Sequence, residues 1–410
     1  MRSPVAERFY QFLIRLKGDK FLWLIVLLMS LFGILAVYSS TGTLAYQYHS
    51  GNTEYYLVRH TLLLLFGLVL MYCASLVNFK IYSRLAQLLM IISVPLLLYT
   101  LIWGTTMNSA ARWITLPVIG LTFQTSDLAK LALIMYTARV LAKNQHRIGS
   151  FRDSFVPVVL PILVVCGLIA PADFSSAVVL FMTCVLLLFI GRVGWLHMTT
   201  LLGGGVVGVA LTIALLFALP EENLPGRMPT WKSRIESFTG DAPGEEAYQV
   251  EQAKIAIARG GLLGRGPGNS TQRNFLPHPY SDYIFAIIIE EYGLIGGGLV
   301  VLLYLAFLYR CIRIIMRTPN PYGALVVAGL GFSLTIQAFV NMGVTVDLLP
   351  VTGLTLPLIS MGGTSLWFTS IAIGIILSVS RDLGMGADAQ TDAGNFEEDA
   401  DMMDEMLRPA

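Results

Sequence analysis

Long apolar runs alternate with short polar stretches along the chain. A bilayer core takes about 20 mostly apolar residues per helix. Ten stretches reach or approach that length: 21–40, 60–77, 86–104, 127–143, 155–170, 176–191, 196–219, 284–309, 322–342 and 364–380, with 155–170 and 176–191 the short ones. The first run follows a basic segment with Arg2, Arg8, Arg15, Lys17 and Lys20. A signal peptide would have a shorter apolar core and a small-residue cleavage site, so this run reads as an uncleaved helix. The pattern predicts an all-α polytopic membrane protein of ten transmembrane helices. Residues 1–20 are a cytoplasmic basic segment, 21–383 the membrane domain with a large extracytoplasmic loop at 220–283 between helices 7 and 8, and 384–410 an acidic cytoplasmic tail.

Composition strengthens this picture. Of the 410 residues 55% are hydrophobic and 13% charged, with a mean hydropathy of +0.68; soluble domains carry about 25% charge. Net charge is +1, but the last stretch from Asp388 holds eight carboxylates and one arginine, leaving the body at 26 basic to 18 acidic residues. Such a tail is expected to be disordered, since its charge density leaves little to bury. With the N-terminus inside, sixteen Lys and Arg fall on inside loops and tails and two, Arg59 and Arg112, on short outside loops. That bias fixes the orientation, and an even helix count returns the C-terminus to the cytoplasm. Cys73, Cys166, Cys184 and Cys311 have no partners at metal-ligand spacing, which argues against disulfide or zinc chemistry. Gly203, Gly204, Gly205 and Gly208 in the seventh run would permit close helix packing.

Polar chemistry concentrates in three clusters, and charges at membrane depth are costly enough to need a reason. The first is N-S-A-A-R-W at 108–113 followed by F-Q-T-S-D-L-A-K at 123–130. Thr125 or Ser126 can cap the fourth helix, with Asp127 in its positively polarised first turn and Lys130 three residues on, along the same face. That spacing fits an ion pair that fixes packing. It equally fits a cavity in which Lys130 and nearby Arg112 hold an anion. Arg139, nine residues further along, faces the opposite side and would snorkel to the cytoplasmic interface.

The second cluster is the long loop, with K-S-R-I at 232–235, an amphipathic stretch from Tyr248 to Arg259, G-G-L-L-G-R-G-P-G-N at 260–269 and L-P-H-P-Y-S-D-Y-I-F-A at 276–286. Glycines with Arg can bring backbone N–H groups to phosphate oxygens, although the pattern fits no P-loop or dinucleotide fingerprint and also suits plain turns. Asp282 stands where the loop re-enters the membrane. A carboxylate at such a boundary can act as a general base, but the residues by themselves favour the plainer reading, Ser281 or Asp282 as the cap of the eighth helix. The third cluster pairs Glu290 and Glu291, two turns into an apolar run, with the segment from Asn341 to Ser365. The glutamates need partners, for which Arg112, Lys130 and Arg234 are candidates. Pro350 to Gly363 would break a helix twice, which is tolerated only where backbone is buried in protein or lines a cavity.

Together these motifs resemble the SEDS family (shape, elongation, division and sporulation), most closely its FtsW division branch. The resemblance rests on R-W at 112–113, F-Q-T-S-D-L-A-K, G-G-L-L-G-R-G at 260–266, S-D-Y-I-F-A-I-I-I-E-E-Y-G-L-I-G-G at 281–297 and L-P-L-I-S-M-G-G-T-S at 356–365, and it runs from the first helix to about Leu383. It implies a peptidoglycan glycosyltransferase that polymerises lipid II on the outer face of the bacterial cytoplasmic membrane, at the division septum. Asp282 matches the family's essential acidic residue, which would deprotonate the acceptor 4-hydroxyl. The leaving pyrophosphate needs cations, for which Arg112, Lys130, Arg234, Lys254, Arg259 and Arg265 are the pool. Gln124, Ser126, Glu290, Glu291, Gly362, Gly363 and Ser365 are supporting positions. The chain departs from the family pattern at Asp173-Phe174-Ser175-Ser176, where D-x-G-T is common. Asp127 replaces the usual Glu, and Val351-Thr352-Gly353 replaces the division branch's Thr-Lys-Gly.

The expected partners are lipid II, a class B penicillin-binding protein transpeptidase and other divisome membrane proteins, with no nucleic acid. No cofactor is specified; Mg2+ or Mn2+ could share the pyrophosphate charge, though no carboxylate cluster marks a metal site. Alternatives are an elongation-branch (RodA-like) polymerase, a lipid II flippase, which would depend more on Lys130 and Glu290, and a division scaffold in which Asp282 is only a cap. No inverted repeat of the transporter kind is found.

Overall fold

A computed structural model describes residues 18–42, 44, 46, 52–107, 110–115, 122–145, 156–220, 224, 227–239 and 245–383. The basic segment before Gly18 and the acidic tail from 384 lie outside the described residues. The helices are α1 (Lys20–Ser40), α2 (Thr53–Leu76), α3 (Phe79–Trp103), α4 (Thr125–Lys143), α5 (Val156–Ile169), α6 (Phe174–Ile190), α7 (Trp195–Ala218), α8 (Met228–Thr239), α9 (Glu245–Gly260), α10 (Ile284–Arg317), α11 (Pro321–Thr345) and α12 (Ser365–Leu383). Among the described residues seven of these, α1, α2, α3, α7, α10, α11 and α12, are long and apolar enough to cross a membrane; α5 and α6 are shorter apolar helices. Every apolar run read from the sequence falls on one of these helices or on α4, which carries Asp127, Lys130 and Arg139 and whose apolar residues are mostly buried. The chain is a multi-pass helical membrane protein.

Short polar residues start several helices: the side chains of Asp19, Asn52, Asn78, Asp173 and Asn320 accept from backbone N–H groups of α1, α2, α3, α6 and α11. Two expected caps are corrected. Gln124 is the N-cap of α4 without a side-chain bond, so Thr125 and Ser126 already lie inside the helix. Tyr283 precedes α10, again without a side-chain cap, so neither Ser281 nor Asp282 caps that helix. The glycines of α7 are corrected too: Gly203, Gly204 and Gly208 face nothing within 4 Å, and only Gly205 meets a neighbour, Phe181.

Between α3 and α4 the chain forms a small antiparallel sheet of β1 (Thr105–Met107), β2 (Ala110–Thr115) and β3 (Thr122–Gln124), with Trp113 paired to both Thr105 and Gln124. Strands this short leave no readable period. Their role is positional, since β2 delivers Arg112 and β3 delivers Gln124 to one end of the bundle.

The long loop contains α8 and α9. Trp231 of α8 packs on Phe174 at the start of α6, ring centroids 4.9 Å apart. On α9, Ala253 and Ala256 join a separate apolar cluster with Leu276, Tyr283, Ala286 and Ile287. From Ile284 to Glu291 every residue of α10 is buried, and the helix kinks at Gly293 (φ 70°, ψ −173°). The rod beyond the kink is about 36 Å long at 1.5 Å per residue, enough to cross a bilayer alone. Glu290 and Glu291 therefore precede the crossing rod instead of lying two turns inside it. Glycine is required here by contact as well as by φ. A Cβ on Gly293 would fall 2.2 Å from the Leu262 carbonyl oxygen, and one on Gly264 would fall 2.2 Å from that of Glu291.

Candidate functional site

At the end of the bundle carrying α8 and α9, the segment 280–282 is fastened to the chain between α11 and α12. The Tyr280 carbonyl accepts from Met361 N–H at 3.0 Å, the Ser281 carbonyl from the Ser360 hydroxyl at 2.6 Å, and the Asp282 carbonyl from Asn341 Nδ2 at 2.8 Å. Asn341 is buried and donates equally to the Leu354 carbonyl at 2.7 Å. The Ser360 hydroxyl also accepts from Leu356 N–H at 2.9 Å. Three successive peptide carbonyls are thus held while the Asp282 side chain is left out of the scaffold. Here Pro350 to Gly363 has the role its sequence suggested, irregular backbone buried in protein. Gly353 lies beside this side chain, so that a Cβ there would sit 3.6 Å from Asp282 Oδ2.

Burial around its carboxyl raises the pKa of Asp282 above the ordinary aspartate range. The Ser281 side chain and the positive fields of His278, Arg234 and Arg112 oppose the rise. Burial in turn lowers the pKa of Arg234, with Glu246, Asp173 and Asp282 opposing and Arg112 reinforcing. Arg234, one helical turn after Trp231, reaches the Thr352 carbonyl at 3.4 Å, and its Nε is enclosed without a partner. Arg112 pairs with Asp173 at 3.0 Å and also keeps a buried, unpartnered Nε. Asp173 does two tasks, since it caps α6 through Ser176 as well. A cavity of about 220 Å3 opens beside Arg234 between α8, α9 and residues 347–351, with Phe238, Leu349 and Val351 as apolar wall and Glu251 and Lys254 as polar wall.

The structure therefore brings Asp282, Arg234 and Arg112 into one electrostatic neighbourhood. Lys254 stands on the same cavity wall, where it pairs with Asp347. Lys130 lies elsewhere. It bonds Asp127 at 3.0 Å and faces a cavity of about 50 Å3 with Ser333, Gln337, Ser365 and Thr369. Gln337 is one helical turn before Asn341 on α11, so that cavity is deeper in the bundle. Gln124 donates to Ser126 at 3.0 Å. Gly362 accepts from Ser365 N–H at 3.1 Å, in the turn at Gly362 and Gly363 that leads into α12. Arg265 is exposed and is tied in by its backbone, its N–H donating to the Glu290 carbonyl at 3.0 Å and its carbonyl accepting from Asn269 Nδ2 at 3.1 Å. Arg259 is exposed and donates to the Thr271 hydroxyl at 2.6 Å.

The expected partners of the two glutamates are corrected. Neither Arg112, Lys130 nor Arg234 pairs with them. Glu290 accepts from the Ser270 hydroxyl, from Thr271 N–H at 3.1 Å and hydroxyl at 3.0 Å, and from Gln272 N–H at 3.2 Å, at the start of a 3-10 turn (Gln272–Asn274). Glu291 accepts from the Ser39 hydroxyl and from Ser270 N–H at 3.4 Å. Backbone N–H groups and hydroxyls, with the Arg273 charge near Glu291, provide what the three expected cations do not. Asp173, His278, Asn341 and Ser360 are the site residues that reading by charge and motif missed. Among the described residues no three His, Cys, Asp or Glu side chains converge. Asp173, which acts electrostatically in this neighbourhood, is already spent on Arg112 and Ser176, so the donors do not form a cage for Mg2+ or Mn2+, and no step below runs through a metal.

Comparison with known proteins agrees in both sequence and fold. Stage V sporulation protein E of Bacillus subtilis is 34% identical over 370 residues, covering 88% of this chain and 97% of that protein. A probable peptidoglycan glycosyltransferase FtsW of Coxiella burnetii is 34% identical over 369 residues, covering 88% and 96%. Among solved structures, a chain of a peptidoglycan synthase complex studied for its coordination of polymerization and crosslinking superposes with a TM-score of 0.71 at 25% identity, covering 89% of this chain and 98% of that one. The rod shape determining protein RodA of Thermus thermophilus superposes with a TM-score of 0.63 at 26% identity, covering 90% and 98%. The family of cell cycle proteins defined by FtsW, RodA and SpoVE matches residues 19–384, and the chain belongs to it.

Proposed function

We propose that the protein is a peptidoglycan glycosyltransferase that polymerises lipid II, with Asp282 as general base. The observation that carries the reading is a carboxylate whose main chain is immobilised at three successive carbonyls, whose side chain caps no helix, and whose surroundings make it a stronger base than a free aspartate. Asp282 takes the proton from the acceptor sugar's 4-hydroxyl. The oxygen attacks the anomeric carbon of the donor glycan as the bond from that carbon to the pyrophosphate oxygen breaks, with inversion. Undecaprenyl pyrophosphate departs with the bonding electrons, and Arg234 and Arg112 face the charge it develops. The 220 Å3 cavity beside Arg234 is large enough for a sugar-sized group.

The relatives named FtsW and the lysine and arginine bias support a division enzyme in the bacterial inner membrane, with both termini cytoplasmic and Asp282 on the outer face at the septum. A class B penicillin-binding protein is the proposed partner, because a chain of the same fold occurs in a synthase complex that couples polymerization to crosslinking. One observation favours a second reading, lipid II translocation: the polar cavity around Asp127 and Lys130 inside the bundle.

The test is glycan-chain formation from labelled lipid II by the purified protein with its cognate transpeptidase, wild type beside Asp282→Asn. General bases contribute about 100-fold to 10,000-fold in rate, so the folded variant is expected to make no detectable polymer. Equal polymer from both would remove Asp282 from the mechanism. No polymer from either, with the partner bound, would shift the assignment to translocation or scaffolding.

A further inference from the structure

The end of the bundle opposite Asp282 carries a second polar site. Asn320, at the start of α11, lies about 32 Å along that helix from Asn341, at 1.5 Å per residue. There a cavity of about 340 Å3 opens between α3, α4 and α11, lined by Ser83, Arg139, Ala142, Lys143, Asn320, Pro321 and Tyr322. Each polar side chain on its wall can donate a hydrogen bond, and none is acidic. Arg139 uses one guanidinium nitrogen on the carbonyl and hydroxyl of Ser83, while its remaining N–H groups have no carboxylate among the described residues. Asn320 accepts with Oδ1 from Tyr322 N–H at 3.0 Å and Gly323 N–H at 3.2 Å, which leaves its amide NH2 free to donate. Tyr322 is 6% exposed, and its hydroxyl is enclosed without a partner. The N-terminus of α11 adds positive potential at the same place.

A guanidinium with N–H groups to spare, an exposed ammonium and an orphaned phenol, converging with no carboxylate among the described residues, describe a receptor for an anion. Its surroundings say which kind. Further along α3, on the side nearer Ser83, Ile91 and Leu98 are exposed, and in a membrane they meet acyl chains. We infer that this cavity binds the phosphate of an anionic phospholipid, with Arg139, Lys143 and the Tyr322 hydroxyl on the headgroup and the acyl chains along α3. The site is independent of the proposed chemistry at Asp282. Basic pockets between helices are a recurrent way of holding such headgroups.

The experiment is lipid retention by the full-length protein, read by native mass spectrometry after extraction from vesicles of phosphatidylglycerol in a phosphatidylcholine background. Wild type is expected to retain phosphatidylglycerol in preference to phosphatidylcholine. Arg139→Gln should weaken that retention about fivefold to tenfold, from the value of one cation at a membrane surface. Tyr322→Phe should weaken it less. Arg192→Gln, outside the cavity, and Asp282→Asn should both retain the lipid as wild type does. Equal retention of both lipids by wild type, or undiminished retention by Arg139→Gln, would overturn the inference. So would displacement of the lipid by inorganic phosphate, which would make the ligand a soluble anion. Should Arg139→Gln fail to fold, the lipid preference of wild type and the Tyr322→Phe comparison decide.

Discussion

Asp282 and the Glu290–Glu291 pair stand eight residues apart at one end of the bundle and are held in opposite ways. For the glutamates the carboxylates are the fixed groups: Ser270, Thr271, Gln272 and Ser39 bond them directly, and both residues are at most 1% exposed. For Asp282 the backbone is fixed, through Asn341 and its neighbours, and the carboxylate is left facing the fields of Arg234, Arg112 and His278. Glu290, with donors on both of its oxygens, is a structural fastener, because removing those oxygens would strand the donors around them. Asp282, with its main chain clamped and its side chain engaged by the Ser281 side chain alone, can take a proton without disturbing the fold.

The largest expected effect follows from breaking the fastener. Glu290→Leu leaves the Thr271 and Gln272 N–H groups and two hydroxyls without an acceptor. Stranded buried donors cost about 1–3 kcal/mol each, so thermal unfolding in detergent should show a loss of about 3 kcal/mol or more. Glu290→Gln retains an acceptor oxygen and should lose less, and polymer formed per folded molecule should stay near wild type. If Glu290→Gln folded normally but made no polymer, Glu290 would belong with Asp282 after all.

Next comes the clamp. Asn341→Leu removes the donor shared by the Asp282 and Leu354 carbonyls. Misplacement of a catalytic group by about 1 Å can cost about a hundredfold in rate. Steady-state kinetics should therefore show kcat reduced about tenfold to a hundredfold, with little change in KM and with the acid limb of the pH profile unmoved. Ser360→Ala, which removes one of the neighbouring ties, should act in the same direction and more weakly. A change confined to KM would mean that Asn341 serves binding and not placement of the base.

How far the sequence discloses this contrast depends on which groups have letters. The apolar runs disclose the helices, because their spacing is dictated by the membrane. Asp282 is legible as a lone carboxylate between a polar loop and an apolar run, and the Asp127–Lys130 pair is legible because three residues along a helix is local geometry. The partners of Glu290 are not, since half of its donors are peptide N–H groups brought near by the turn at Gly264 and the kink at Gly293. Reading for opposite charge named three cations that lie elsewhere. Asn341 was hidden for another reason: at the end of the run 322–342 nothing in the sequence points to a partner for it, and only the packed fold brings it, buried near the end of α11, beneath residues 280–282. Arg112 and Asp173 are 61 residues apart, and only the small sheet and the start of α6 bring them together.

A smaller effect sharpens the electrostatic half of the contrast. A general base works when ionised, so activity should climb as pH rises through the Asp282 pKa, and burial places that limb above the range of a free aspartate, about 3.9. Arg234 holds the pKa down. Arg234→Gln should therefore move the acid limb of kcat/KM to higher pH, while Arg234→Lys, which keeps the charge, should leave it close to wild type. A limb that stayed in place in Arg234→Gln would detach Arg234 from the base and leave it a role only toward the leaving group.

The smallest effect is expected at the far wall of the Arg234 cavity, where Lys254 of α9 meets Asp347 just beyond α11. Their side chains are 55% and 29% exposed, and pairs so wet contribute about 0.2–1 kcal/mol. A double-mutant cycle of Lys254→Ala and Asp347→Ala, read by thermal unfolding, should give a coupling in that range and weaker still at high salt. The same variants separate two roles for Lys254. As a wall residue already neutralised by Asp347, it should lower polymerisation by no more than about threefold, on the scale of a surface ion pair. As a pyrophosphate ligand it would have to leave Asp347 on substrate binding, and Lys254→Ala would then raise KM severalfold while Asp347→Ala, by freeing the ammonium, would lower it. Opposite signs in the two single variants would add Lys254 to the cations facing the leaving group; equal small changes would confine that role to Arg234 and Arg112.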